Sequence, residues 1–530
     1  PVAQAMKALS ADAMRAHDKF LASDLLEGRG PGTRGDDLAM QYIAAQFEAI
    51  GLEPAGDNGT YYSRVPLVGV RTDGDKSSIS FTKDGSPSIT PKSLDDYVTG
   101  DQSQNESSAL DSELVFVGHG VVAPDYKWDD YKGLDTRGKT LVMLVDDPPA
   151  SAAEPDLFKG KTRTYYGRWT YKYEIGAAKN AQGVILIHTN DAAGYPWSVV
   201  RNSWGSERSY LKLKPGQHAL NFAAWMTEAL ASQLFKGAGL DLDAMTKAAA
   251  SRDFKPVSLG YKLSGTIVSK VRSFDSANVI GKVSGSDPKL KSEAILYSAH
   301  HDHLGVGKAD AKGDTIYNGA IDNASGCALL IDSARVWATT SPKPRRSIYF
   351  AAVAAEEQGL LGSEYLAQNP PLPVSHIALG INYDAIPELG KVRDVYMNGI
   401  ERTTFFPAAQ RITKAMGIRI VPDPEPEQGH YYRSDHFPLG KAGVPAFSVD
   451  PGQDVVGKPA GWGAKASTDY RENRYHQPSD EFDPAWDWNE AVEMGQLGFW
   501  LGWDAANAES MPNWKAGDEF RAVRDASLKK

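Results

Sequence analysis

The chain has 530 residues, and a prior of roughly 150 residues per domain allows two to four domains, with two the preferred reading. A hydrophobic content of 42%, a charged content of 23% and 12 Trp with 23 Tyr exclude a disordered or fibrous chain and describe a packed globular one. The formal net charge of −10 argues against a phosphate-binding surface, so no nucleic-acid partner is expected, and no apolar run reaches the roughly 18 to 20 residues of a membrane helix, so no membrane partner is expected either.

The chain opens at Pro1 with no initiator Met and no charged-then-apolar leader, as expected where a signal peptide has been removed or a boundary chosen. Between residues 36 and 50, Ala39, Ile43, Phe47 and Ile50 fall at helical spacing, with Asp36 and Asp37 at the start and Gly51 as the stop. After Arg71 the pattern dissolves, and the polar run Ser103, Gln104, Asn105, Glu106, Ser107, Ser108 predicts a domain junction near residue 110. From 111 to 265 short strands recur, at Glu113 to Val117, Thr140 to Val145 and Gly183 to Ile187, and predict a compact, strand-rich inserted domain. Its histidines, His119, His188 and His218, share no ligand-like spacing and are read as structural.

From Ala277 apolar strands alternate with helices. Strands are expected over Ala294 to Ala299, Ser347 to Ala355, Ile377 to Tyr383 and Pro445 to Val449, with a helix over Ala324 to Ala338. The fold class is therefore α/β: a mixed, mostly parallel central sheet with helices on both faces. Residues 1–110 and 266–530 form two parts of this domain, and 111–265 form the insertion. The single cysteine, Cys327, excludes an internal disulfide and reads as a small buried apolar side chain.

Three of the predicted strands run into acidic or histidine residues: His300 and Asp302, then Glu356 and Glu357, then Asp384. Ligands gather outside the carboxyl ends of strands in open α/β sheets, so this repeated placement marks a site. In Ser298-Ala299-His300-His301-Asp302-His303 imidazoles stand beside a carboxylate, a pairing usual at a metal. Asp322 falls where a loop becomes a helix and by itself reads as an N-cap. Adjacent carboxylates at Glu356 and Glu357, after a very apolar strand, call for a compensating cation. One can ligate while the other handles a proton.

The motifs Ala299-His300-His301-Asp302, Asp322-Asn323-Ala324-Ser325-Gly326, Glu356-Glu357, Asn382-Tyr383-Asp384 and Tyr475-His476-Gln477-Pro478-Ser479-Asp480, in this order, resemble the two-zinc exopeptidases. That family includes bacterial leucyl aminopeptidases, with glutamate carboxypeptidase, transferrin receptor and glutaminyl cyclase as relatives. The stretch Leu26 to Gly35 shares the resemblance, and residues 111–265 look like the protease-associated domain that many members carry as an insertion. The resemblance implies two Zn2+ ions, one on His300 and Asp384, the other on Glu357 and His476, with Asp322 bridging. Nitrogen and oxygen ligands without thiolate suit such a site, as manganese or cobalt also would.

By the same resemblance, Glu356 is the general base for a bridging metal-bound hydroxide, Asp302 orients His300, and Tyr475 stabilises the oxyanion. Asp480 is a candidate support for His476. His301 and His303 are left out of the ligand set, because the family pattern requires only one histidine of that run. Ser434-Asp435-His436 is read as structural, since consecutive residues rarely converge as a catalytic triad.

The activity expected is hydrolysis of the N-terminal bond of peptide substrates. A carboxypeptidase or dipeptidase is the alternative and would need a cationic pocket, for which Arg402, Arg411, Arg433 and Arg471 are available. A glutaminyl-cyclase-like acyltransferase and a non-catalytic receptor-like protein are weaker alternatives, because both metal sets and Glu356 are intact. The resemblance also suggests a periplasmic or secreted location. It leaves the oligomeric state open, a dimer included.

Overall fold

The computed structural model describes residues 2–529, so Pro1 lies outside the described residues. Two compact units emerge. The first is built from the chain up to Pro66, Asp275–Pro424 and the chain from Arg433; the second from Leu67–Phe274 and Glu425–Tyr432.

In the first unit the strands Ala446–Ser448, Ile377–Asn382, Ala294–His300 and Ser347–Val353 lie side by side in that order, all parallel. Val279 to Val283, the end of a longer strand, pairs antiparallel with the last of them. Alternate residues of each strand enter different cores. Ile295, Tyr297 and Ala299 pack into one cluster with Phe47, Leu329, Trp337 and Leu497, whereas Ala294 and Leu296 pack into another with Leu366, Leu439 and Val444. Helices therefore cover both faces, and this is why the strands are apolar throughout instead of alternating.

The helix Arg34–Ile50 forms where its spacing predicts. Thr33 caps it by accepting the Asp36 N–H, and Gly51 ends it in the left-handed region at φ 84°. Ala39, Ile43 and Phe47 are buried along one face, while Ile50 is only partly covered. The longest helix in this unit, Asn489–Asn507, approaches the sheet along Gly498 and Gly502. A Cβ at Gly498 would fall 1.9 Å from Tyr383 Oη, and one at Gly502 would fall 1.8 Å from Tyr297 Oη.

The second unit has its own sheet. Ser107–Phe116, Thr140–Leu144, Gly183–His188 and Phe222–Thr227 follow one another in parallel register, and Tyr97–Gly100 closes the edge antiparallel. The helices Trp169–Ala178, Glu228–Gly237 and Leu242–Ala249 accompany them, so this unit holds more helix than the strand-rich expectation. Its limits also differ from the expected 111–265. The polar run near 103–108 is a turn leading into the strand Ser107–Phe116, where Asn221 Nδ2 donates to the Ser103 and Ser108 hydroxyls. Those polar groups satisfy one another in place, and composition cannot tell such a turn from a linker. His119 Nδ1, His188 Nε2 and His218 Nε2 each face a backbone carbonyl, at 3.1, 3.0 and 2.8 Å, as structural histidines do. Among the described residues no helix is long and apolar enough to cross a membrane.

Candidate metal centre

Each candidate ligand stands at the end of an element. His300 is the last residue of the strand Ala294–His300. The strand Ser347–Val353 leads through Ala355, at φ 53°, to Glu356 and Glu357, and Ile377–Asn382 leads to Asp384. Asp322 lies in the turn Ala320–Ser325 ahead of the helix Gly326–Thr339, and His476 follows the helix Trp462–Asn473.

These five groups converge in two sets. His300 Nε2 is 3.2 Å from Asp322 Oδ1 and 3.3 Å from Asp384 Oδ1. His476 Nε2 is 3.3 Å from Asp322 Oδ2 and 3.0 Å from Glu357 Oε2. The two oxygens of one carboxylate thus face two different imidazoles, so Asp322 acts as the shared member and its side chain caps no helix. Glu356 Oε2 stands 3.9 Å from His300 Nε2, beside the first set.

The donor set suits divalent cations on its own chemistry. His476 Nε2 and Glu357 Oε1 are buried without a hydrogen-bond partner, although acidic or imidazole atoms crowd around them. Buried groups of this kind are costly unless an ion completes them. His300, Glu356 and Asp384 offer ligand atoms close enough to share one ion, as do His303, Asp322 and Glu357.

The electrostatics agree. Burial alone would lower His300, but Glu356 and Asp384 hold it well above the usual histidine range. Burial likewise opposes protonation of His476, yet Glu357 and Asp322 push it up to about 10. Burial, reinforced by Asp384 and Glu357 against the opposing charge of His300, holds the Glu356 carboxyl well above its ordinary value. The imidazoles take up protons where a cation would otherwise neutralise the carboxylates, so proton and metal compete for the same atoms.

Comparison with known proteins places this geometry. Residues 278–499 match the family model described as Peptidase family M28. The match spans less than half of the chain and makes this segment similar to that family. The matched segment contains every candidate ligand. A probable zinc metalloprotease of Pyrenophora teres f. teres (strain 0-1) is 36% identical over 108 residues, which cover 20% of this chain and 22% of that protein. The aminopeptidase NAALADL1 of Rattus norvegicus is 30% identical over 133 residues, 23% of this chain and 16% of the relative. The chain thus matches less than a quarter of the length of these curated relatives. A solved aminopeptidase from Aneurinibacillus sp. strain AM-1 shares the fold at a TM-score of 0.50 and 17% identity, covering 96% of this chain and 97% of that one.

Residues around the candidate ligands hold them in ways the sequence does not specify. Asp302 was expected to orient His300, but His300 Nδ1 turns to the Asp302 backbone carbonyl at 3.2 Å, and the carboxylate lies 3.7 Å away. That carboxylate instead accepts the backbone N–H groups of Glu356 at 2.9 Å and Glu357 at 3.3 Å, fixing the turn that presents both glutamates. Asp480 similarly accepts the N–H groups of Ile321 and Asp322, each at 3.1 Å, and so supports the bridging residue, where support of His476 was expected.

Arg29 lies in the N-terminal stretch that carried part of the resemblance, and its function there is mechanical. Its buried guanidinium donates to the carbonyls of Leu21, His301, Asn318 and Gly319, clamping the loops that bear His300 and Asp322. Ser434 accepts from Asn382 Nδ2 at 2.9 Å and donates to Asp384 Oδ2, leaving Oδ1 toward His300. Asp435 accepts from the Ser363 hydroxyl, while the Ser434 hydroxyl is turned to Asp384.

Tyr475 stacks on the His476 ring at 3.9 Å between centroids and is 37% exposed, so it stands at the mouth of the site. Burial of its hydroxyl end and the charges of Asp322 and Glu357 hold the phenol well above its ordinary value, which keeps it a proton donor. His301, left out of the ligand set, contacts Ala277 O at 2.9 Å and Asp36 at 3.4 Å, away from the carboxylates of the site. Cys327 is buried and directs its thiol to His300 O at 3.1 Å. His303, also left out, is brought in: its Nδ1 lies 2.7 Å from Glu357 Oε1. The run His300-His301-Asp302-His303 held that signal, but spacing could not say which ring turns inward.

Proposed function

We propose that the protein is a metallo-aminopeptidase that binds two zinc ions and hydrolyses the N-terminal bond of peptides. The observation that carries this reading is the division of Asp322, whose Oδ1 faces His300 while its Oδ2 faces His476, giving one carboxylate to two metal positions. His300 and Asp384 would hold one ion, Glu357 and His476 the other, with Asp322 common to both. When bound, such ions act as Lewis acids toward water and the scissile carbonyl.

The chain's own residues supply the remaining functions. Glu356 stands 3.9 Å from His300, outside the closest ligand contacts, and is placed to take a proton at Oε and hand it to the leaving amine. Tyr475, a neutral phenol at the mouth, is placed to donate to a developing oxyanion. The clustered carboxylates favour a substrate whose free terminus is a cation.

The carboxypeptidase alternative keeps one specific support, the charge of Arg433, which acts on the Tyr475 phenol. Arg402 is paired with Asp518 and Glu519, and Arg411 with Asp504. In the same proposal the second unit acts as a protease-associated domain, and the location is periplasmic or secreted; both rest on the family resemblance.

Mass spectrometry of a free peptide, its N-acetylated form and its C-terminal amide, each incubated with and without a chelator, tests the reading. We expect chelator-sensitive shortening from the N-terminus that acetylation abolishes. Loss from the C-terminus that amidation blocks would replace it with a carboxypeptidase.

A further inference from the structure

The two metal positions are not equivalent. His303 is fully buried, and both of its ring nitrogens lack a hydrogen-bond partner. Its Nδ1 nevertheless lies 2.7 Å from Glu357 Oε1 and 4.0 Å from Asp322 Oδ2. A fully buried imidazole with two unsatisfied nitrogens is expensive, and this one points into the group of carboxylates that contains the second metal position.

The ring is held there from several sides. Its edge meets the His476 ring, with centroids 5.7 Å apart and planes at 71°. Gly319, at φ 57°, forms the opposite wall: a Cβ on it would lie 2.5 Å from His303 Cγ and 2.6 Å from Cδ2. The His303 backbone N–H donates to Arg29 O at 3.2 Å, and the Arg29 guanidinium in turn binds the carbonyl of Gly319. Two loops and a buried arginine therefore fix the ring in a place that only a side-chain-free residue at 319 permits.

We propose that His303 Nδ1 is a further ligand of the second metal position, which then has His303, His476, Glu357 and the shared Asp322. The first position has His300, Asp384 and the same Asp322. The inference rests on the two-metal reading above and extends it: two imidazoles at one position against one at the other make the second the tighter zinc site. Nitrogen-rich sets favour zinc over manganese and magnesium, which prefer oxygen, so the first position is the one at which other divalent ions exchange.

The test uses the zinc-loaded protein, with His303→Ala and His303→Gln compared to the unmodified chain. Zinc retained per chain is measured against rising chelator, and X-ray absorption counts the imidazoles on the bound zinc. Thermal unfolding shows that each variant is folded, and the glutamine variant keeps a buried polar side chain should the alanine variant fail to fold. We expect the unmodified protein to release zinc in two steps and to show three imidazoles shared by two ions. In both variants the more resistant step should shift to at least about 10-fold less chelator and one imidazole should be lost.

Unchanged retention and imidazole count in the variants would overturn the proposal while leaving the two-metal reading in place. Full recovery of zinc retention by glutamine but not alanine would also overturn it, by making His303 a positioning residue for Glu357. Fewer than two zinc ions on the unmodified, folded protein would overturn the two-metal reading itself.

Discussion

Glu356 and Glu357 are neighbours in sequence with different surroundings. Glu357 faces His476 at 3.0 Å and His303 at 2.7 Å, whereas Glu356 stands 3.9 Å from His300. Removing the ability of Glu356 to carry a proton while keeping its shape should therefore separate metal binding from turnover. Glu356→Gln is expected to retain its bound metal, measured by elemental analysis, while turnover falls about 100- to 10,000-fold, the usual worth of a positioned general base. Loss of metal in parallel with activity would make Glu356 a ligand.

Elements place these residues. The strands carry His300, the two glutamates and Asp384 to the carboxyl end of the sheet, and the helix Asn489–Asn507 sets how that sheet packs. Tyr297 Oη donates to Gly498 O at 2.8 Å, so the helix backbone rests on the tyrosines of the central strands. Gly498→Ala puts a methyl group into Tyr383 Oη, and overpacking of this kind costs about 1 to 3 kcal/mol. A lower melting temperature is expected, with metal content preserved in the folded fraction. An unchanged melting temperature would mean that the helix can shift outward freely.

At the scale of the whole molecule, the two units have separate cores and separate sensitivities. In the second unit, burial and the charge of Lys172 lower His119 to about 3, against the opposing bond to Asp146 O. Between that value and the unfolded value near 6.5 the unfolded chain binds a proton that the folded chain refuses, so this contribution to stability is lost as pH falls through that window. The loss is up to about 1.4 kcal/mol per pH unit. Asp147, raised to about 6 chiefly by burial, works in the opposite direction, so the comparison must isolate His119. Denaturant unfolding at pH 7, 5.5 and 4.5 should show a shallower acid dependence for His119→Asn than for the unmodified chain; equal slopes would remove His119 as the cause.

The sequence by itself determined the strands of the first unit, the helix from Arg34 to Ile50, and the identities of the five residues that converge. The first two are patterned signals, apolar runs long enough for strands buried on both faces and spacing at 3.6 residues; strand-end placement marked His300, Glu357 and Asp384, while Asp322 and His476 came from the motif resemblance. Tertiary structure alone decided the limits of the second unit, because a polar run can be a linker or a turn whose groups satisfy one another, as at Ser103 and Ser108. It also decided what Asp302, Asp480, Ser434 and Arg29 hold, since each acts on backbone or side chains distant in sequence. For His303 the deciding fact is which way one ring in a histidine run points, and that is set by Gly319 and His476, far along the chain.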